Sequence, residues 1–193
     1  MRVLGIDPSL TSTGLVLVEG GRVVETKRVR SKQVGAQRVQ NILDEIERAI
    51  WGGRRGHEMG YEPTSSACAD EGAPADLIVG IEGTAMGAKG SSVVQIFGLW
   101  GIITHQLWQW GVPFYVVTPG GRMKYATGKG NSQKDEVLAA VIRRYIDADV
   151  TGNDVADALV IAAMGARQYD VPLEASLPQV NLQAMGGVTW PTA

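Results

Sequence analysis

The chain has one cysteine, two histidines and no surplus of either charge, and each scarcity narrows the choice of function. A lone Cys68 rules out an internal disulfide and a cysteine-based zinc cluster and fits a reducing compartment. His57 and His105 have no partner at metal-ligand spacing and read as a loop histidine and a helix histidine. Lys and Arg number 18 against 20 Asp and Glu, and a net charge of −2 gives no bulk support for polyanion binding, which depends instead on local fields. No uncharged apolar run reaches membrane-spanning length, Val93–Trp110 coming nearest, and no basic-then-apolar leader opens the chain. The expectation is a cytoplasmic protein with no membrane segment. At 193 residues and 45% hydrophobic, the chain suits one globular domain with a sizeable core.

Hydrophobic periodicity orders the chain. Arg2–Ile6, Gly14–Val18 and Arg22–Val29 read as three consecutive antiparallel strands joined by glycine-containing turns. From Gln37 the spacing of Val39, Ile42, Leu43, Ile46 and Ile50 is that of an amphipathic helix. Residues 52–75 lack periodicity and read as a long mobile loop. Leu77–Ile81 is a strand buried on both faces. Ser91–Trp110 is a helix apolar almost all round, suited to a dimer seam, and Phe114–Val117 is a fifth strand. Helices follow over Asp135–Ile146, introduced by Ser132, and over Asp154–Gln168. The order βββαβαβαα describes an α/β fold: a mixed five-stranded sheet, three antiparallel strands then βαβα, flanked by helices. Residues 171–193 contain three prolines and no periodicity and read as a peripheral C-terminal tail after a domain spanning 1–170.

Four acids are placed suggestively. Asp7 and Glu82 each end an apolar strand, and if those strands are parallel neighbours the two carboxylates meet where open α/β sheets bind ligands. Asp154 and Asp157 are three apart, on one face of the last helix. A single Asp at a helix start is commonly a cap, and an acid at a strand end is commonly solvated. Four converging carboxylates are different, because they repel one another unless cations neutralise them. Hard oxygen ligands select Mg²⁺ or Mn²⁺, and two such ions about 3.5–4 Å apart suit in-line hydrolysis of a phosphodiester.

Between Gly120 and Lys134 the chain carries Arg122, Lys124, Lys129 and Lys134 and no acid, around glycines. A basic, glycine-rich loop leading into a helix N-terminus can clamp a nucleic-acid backbone, although a solvated surface loop has the same composition. A second basic stretch over Arg22–Arg38, opposed by Glu25 alone, widens the expected footprint. Trp100, Trp108 and Trp110 have the spacing of core or interface residues rather than of base-stacking platforms.

The segments Arg2-Val-Leu-Gly-Ile-Asp7-Pro-Ser-Leu-Thr-Ser-Thr-Gly14, Val79-Gly-Ile-Glu82, Lys129-Gly-Asn-Ser-Gln-Lys134 and Asn153-Asp154-Val-Ala-Asp157-Ala-Leu, in that order, resemble the RuvC-type Holliday-junction resolvases, the Tyr125–Asn131 stretch looking closer to phage-encoded members. The resemblance implies a ribonuclease H-like fold and a homodimer, joined here through helix 91–110. It further implies Mg²⁺ or Mn²⁺, two per site, held by Asp7, Glu82, Asp154 and Asp157, and nicking of branched DNA to leave 5′-phosphate and 3′-hydroxyl ends. Lys134 matches a basic residue near the scissile phosphate and Lys124 a second, and Arg122 and Lys129 complete the expected DNA contacts. One departure is Ala85, which stands where bacterial members carry an aromatic that meets bases, so a broader branched-DNA preference that includes forks or flaps is open.

Asp7–Gly14 is also similar to the first phosphate loop of the actin, Hsp70 and sugar-kinase ATPases, which need two such domains and hence a longer chain. Nearer alternatives are a YqgF-type RNA-processing nuclease and a branched-DNA-binding module without catalysis. Four retained acids argue against the second.

Overall fold

A computed structural model describes residues 1–52, 73–84 and 91–192. Almost all of the expected 52–75 loop, with Cys68 and His57, and also Ala85, lies outside the described residues.

Five strands form one sheet. β1 (Arg2–Asp7), β2 (Thr13–Glu19) and β3 (Arg22–Val29) run as an antiparallel meander; β4 (Leu77–Glu82) lies parallel to β1, and β5 (Phe114–Val117) parallel to β4. The spatial order is β3-β2-β1-β4-β5, so the two acid-ending strands are the parallel neighbours that the acids require. Side chains alternate between two hydrophobic clusters. Leu4, Ile6, Val79 and Ile81 face α1 (Gly35–Trp51) and α2 (Ser91–Gln109). Val3, Ile78, Tyr115 and Val117 face α5 (Asn153–Gln168). By the same alternation Asp7 and Glu82 fall on the α5 face.

α5 is buried along Val155–Ala166 because glycine lets it approach the sheet closely. A Cβ on Gly5 would stand 2.1 Å from the Ala158 carbonyl oxygen, and one on Gly14 2.0 Å from that of Asp154. Neither contact is sterically tolerable, so any side chain at these positions would push α5, and the two aspartates it carries, off the sheet.

Two expectations are corrected. The segment after β5 is no loop: Pro119–Thr127 is a helix, α3, followed by α4 (Lys134–Arg144), which begins behind Gln133 rather than Ser132. Thr118 caps α3, its Oγ1 accepting the Gly121 N–H at 3.1 Å; Pro119 supplies the fixed φ of a first turn, and Gly128 at φ 83° closes the helix. The 171–193 tail is not peripheral in its packing. It forms α6 (Gln179–Leu182) and a 3₁₀ turn (Gln183–Gly187), and Trp190 packs on Tyr115 with ring centroids 4.7 Å apart. Tyr169 donates to the Pro191 carbonyl at 2.7 Å. A tail lacking periodicity is thus held by aromatic contact and side-chain hydrogen bonds, to which hydrophobic spacing is blind.

Candidate active site

The register of β1 on β4 pairs Ile6 with Ile81, which brings Asp7 and Glu82 side by side at the carboxyl ends of adjacent parallel strands. Trp100 on α2 donates its indole N–H to the Glu82 carbonyl at 3.1 Å and so pins the end of β4. Before β2, Ser9 and Thr13 exchange hydrogen bonds, Thr13 Oγ1 donating to the Ser9 carbonyl at 2.7 Å and accepting the Ser9 N–H at 3.1 Å, which fixes the chain as it leaves Asp7. Asp157, buried one turn into α5, faces the same end of the sheet, and Asp154 lies in the first turn.

Two arginines hold these acids. Arg122, only 8% exposed, donates Nε to Glu82 Oε1 at 2.6 Å and Nη1 to Asp157 Oδ1. Arg28 on β3 donates Nη2 to Asp154 Oδ2 at 3.0 Å, Nε to Ser12 Oγ at 3.1 Å and Nη1 to the Thr151 carbonyl at 3.2 Å. Both were expected in a DNA footprint. Arg122 is instead a buried partner of the acids, because α3 carries it inward from the end of β5, and Arg28 is turned onto the start of α5. Lys27 in the same stretch is taken by Glu45 at 2.5 Å, whereas Arg22, Arg30 and Lys32 stay exposed.

The electrostatics show a shortage of positive charge. Burial, with the charges of Glu82 and Asp157, holds the Asp7 carboxyl well above the usual range, and Arg122 offsets this only in part. Burial pushes Asp157 up to about 7, with Glu82 and Asp154 adding to the shift and Arg122 and Lys134 opposing it. Burial works against the charge on Arg122, yet Glu82 and Asp157 outweigh it and hold the guanidinium ionised. Among the described residues, the buried Asp7 and Asp157 and the partly buried Glu82 thus lie around one guanidinium. The Asn153 Oδ1 atom, next to Asp154, is buried with no hydrogen-bond partner. Oxygen donors of this kind, short of positive charge, fit a hard divalent cation. Among the described residues no group of three acids already stands as a ready ligand cage, and Arg122 bridges Glu82 and Asp157.

Of the expected basic contacts, Lys134 is the first residue of α4, exposed and close enough to act on Asp157. Lys129 is exposed in the turn between α3 and α4, and Lys124 is half-buried in the last turn of α3.

A ribonuclease H-like fold carrying acids at the ends of its first and fourth strands and on its last long helix is the class that this topology and this site define. No protein-family model matches the chain. It is 28% identical over 179 residues to the crossover junction endodeoxyribonuclease RuvC of Synechococcus sp. (strain CC9311), covering 88% of this chain and 100% of the relative. It is 29% identical over 170 residues to the protein of the same name from Mycobacterium bovis, covering 84% of this chain and 79% of the relative. Among solved structures, the Thermus thermophilus RuvC superposes with a TM-score of 0.60 at 23% identity, over 89% of this chain and 98% of that one. The T. thermophilus RuvC in complex with Holliday junction substrate gives 0.58 at 24% identity, over 84% and 90%. The chain is RuvC-like in sequence and in fold along most of its length. These relatives are bacterial, and they lend no support to a phage-type membership.

Proposed function

We propose that this protein is a structure-specific DNA endonuclease that resolves Holliday junctions or related branched DNA in recombination and repair, by hydrolysing phosphodiesters to 5′-phosphate and 3′-hydroxyl ends. The observation that carries the reading is the cluster of buried Asp7 and Asp157 with the partly buried Glu82 at the carboxyl edge of the sheet, with one guanidinium among three carboxyls in the described residues. The relatives' names supply the substrate class. Asp7, Glu82, Asp154 and Asp157 would hold Mg²⁺ or Mn²⁺, two per site; bound there, the ions would supply an activated water and stabilisation of the leaving oxygen. Lys134, at the N-terminus of α4, holds a DNA phosphate with its ammonium group aided by the helix dipole, while Lys129 and Lys124 bind the neighbouring backbone.

We further assign a homodimer through α2. Leu99, Ile103, Leu107 and Trp110, just past its end, are buried in the monomer, whereas Val94 and Trp108 are 73% and 71% exposed, and Phe97 and Ile102 stand out beside them. One helix therefore satisfies its own core and still presents an apolar stripe, as a seam between two copies would. Two sites related by a two-fold axis suit paired nicks across a junction. Among the described residues no helix is long and apolar enough to cross a membrane, and we place the protein in the bacterial cytoplasm.

The test is incubation of the full chain with a synthetic four-way junction, a fork, a linear duplex and an RNA junction, each with Mg²⁺ and with chelator. Mg²⁺-dependent symmetric nicking of branched DNA is expected. Preference for RNA would point to the processing-nuclease reading, and binding without nicking to an inactive module. Sedimentation equilibrium at micromolar concentration is expected to return twice the chain mass, and a monomer would remove the α2 assignment.

A further inference from the structure

Among the described residues Arg122 is the cation hydrogen-bonded at the centre of the acid cluster, and its side chain donates to Glu82 and Asp157, two of the acids assigned to metal. Its backbone is held independently. The Arg122 N–H donates to the Thr118 carbonyl at 2.9 Å, and the far end of α3 is tied down by Arg144, which donates to the Tyr125 and Ala126 carbonyls at 3.2 and 2.6 Å, and by Asn181, which donates to Tyr125 at 2.8 Å. The helix is therefore anchored at both ends, while the described partners of the guanidinium are carboxylates. Each carboxylate oxygen that accepts from the guanidinium commits a lone pair to that donor, which leaves a metal fewer of the lone pairs of Glu82 and Asp157 for as long as Arg122 stays in place. A guanidinium and a divalent cation in one cavity also repel each other strongly in a medium less polarisable than water.

We propose that Arg122 is the resident counter-ion of the acid cluster, and that divalent metal loads by exchange against its guanidinium. The inference rests on the assignment of these acids as metal ligands. In the absence of metal Arg122 acts as a positioning residue, holding Glu82 and Asp157 against their mutual repulsion, and it lowers the affinity for metal below what the carboxylates alone would give. Such an exchange would restrain the site from taking up metal when the free concentration is low.

The test is Mn²⁺ binding to the full chain by calorimetry and by electron paramagnetic resonance, for the parent, Arg122→Ala, Arg122→Lys and Asp7→Asn, with thermal unfolding in chelator alongside. Arg122→Ala is expected to bind Mn²⁺ about tenfold or more tightly than the parent, since a full positive charge has left the cavity. It should also melt lower in chelator and gain more from saturating Mn²⁺. Arg122→Lys, which keeps the charge but cannot bridge two carboxylates, should fall between. Equal or weaker Mn²⁺ affinity in Arg122→Ala overturns the proposal. Binding that Asp7→Asn leaves untouched shows instead that the metal assignment itself is wrong. Should Arg122→Ala fail to fold, the parent still decides: its Arg122 side-chain N–H nitrogen resonance, identified by its loss in Arg122→Lys, should be protected from solvent in chelator and exchange rapidly once Mg²⁺ saturates the protein. A resonance indifferent to Mg²⁺ sinks the idea.

Discussion

Among the described residues carboxylates are buried in two places, and they are treated there in opposite ways. Behind α3, Glu174 is 8% exposed and fully served: Arg167 donates to its carboxylate at 3.1 Å, and the hydroxyls of Tyr125 and Tyr145 both donate to it. Arg167 also donates to the Glu174 carbonyl at 2.7 Å. One negative charge there meets one positive charge and two neutral donors. At the carboxyl edge of the sheet, Asp7, Glu82 and Asp157 have among the described residues one guanidinium between them, that of Arg122, and two of the three are driven toward protonation. Burial is common to both places, so burial alone does not mark function. An unbalanced count of charges and donors does, because nothing in the fold of the domain requires it and a ligand would complete it.

The comparison breaks most sharply if one charge is removed from the unbalanced cluster. Asp7→Asn is expected to slow Mg²⁺-dependent nicking by about 10³-fold, roughly 4 kcal/mol in the barrier, the upper end for losing one preorganised electrostatic group. The same variant should unfold at higher urea than the parent in chelator, because a repelled, buried carboxyl is gone. Parallel nicking assays and urea titrations check both halves, and a variant that cuts normally would end the assignment. The corresponding change at the balanced site should do the reverse. Glu174→Ala strands the Arg167 guanidinium and two phenols and should cost about 3 kcal/mol of stability in urea unfolding. Nicking well below the unfolding transition should change little. Loss of nicking with stability intact would show that the two regions are not separable as argued.

How much of this was legible in the sequence depended on the kind of force involved. Asp7 and Glu82 could be singled out because an apolar run stops at an acid, and Asp154 and Asp157 because a spacing of three shares a helix face. What spacing does not encode is which strands are neighbours, so their meeting was conditional until the β1–β4 register supplied it. α3 was missed because Gly120 and Gly121 weaken helix propensity in its first turn, although the Thr118-Pro119 start and the Gly128 stop were readable signals. With α3 taken as a loop, Arg122 had the same meaning as Lys129, a cation near DNA. Only a helix leaving β5 turns it into the cluster. Arg28 was misassigned for a related reason: its partner Asp154 is remote in sequence, and local charge balance cannot see such a pairing. The role of Glu174 was invisible too, since its partners come from α3, from the residue that ends α4 and from α5, and obey no period.

The smallest expected effect sharpens the balanced side of the comparison. Burial, followed by the charge of Glu174, raises the Tyr125 hydroxyl above its ordinary 10.0, and raises that of Tyr145 well above it. Between the ordinary value and these raised ones the folded protein keeps protons that the unfolded chain has lost. Stability therefore stands in full below pH about 10 and falls as pH climbs through the raised values. Tyr125→Phe removes one of the two groups, together with its hydrogen bond to Glu174 and the one it accepts from Arg167 at 3.1 Å. It should cost about 1 kcal/mol at neutral pH and make the alkaline loss of stability shallower than in the parent. Urea midpoints measured from pH 8 to 11 give both quantities. An alkaline slope unchanged by Tyr125→Phe would mean that the phenol titrates as it does in water, and that the Glu174 cluster is less closed than its hydrogen bonds indicate.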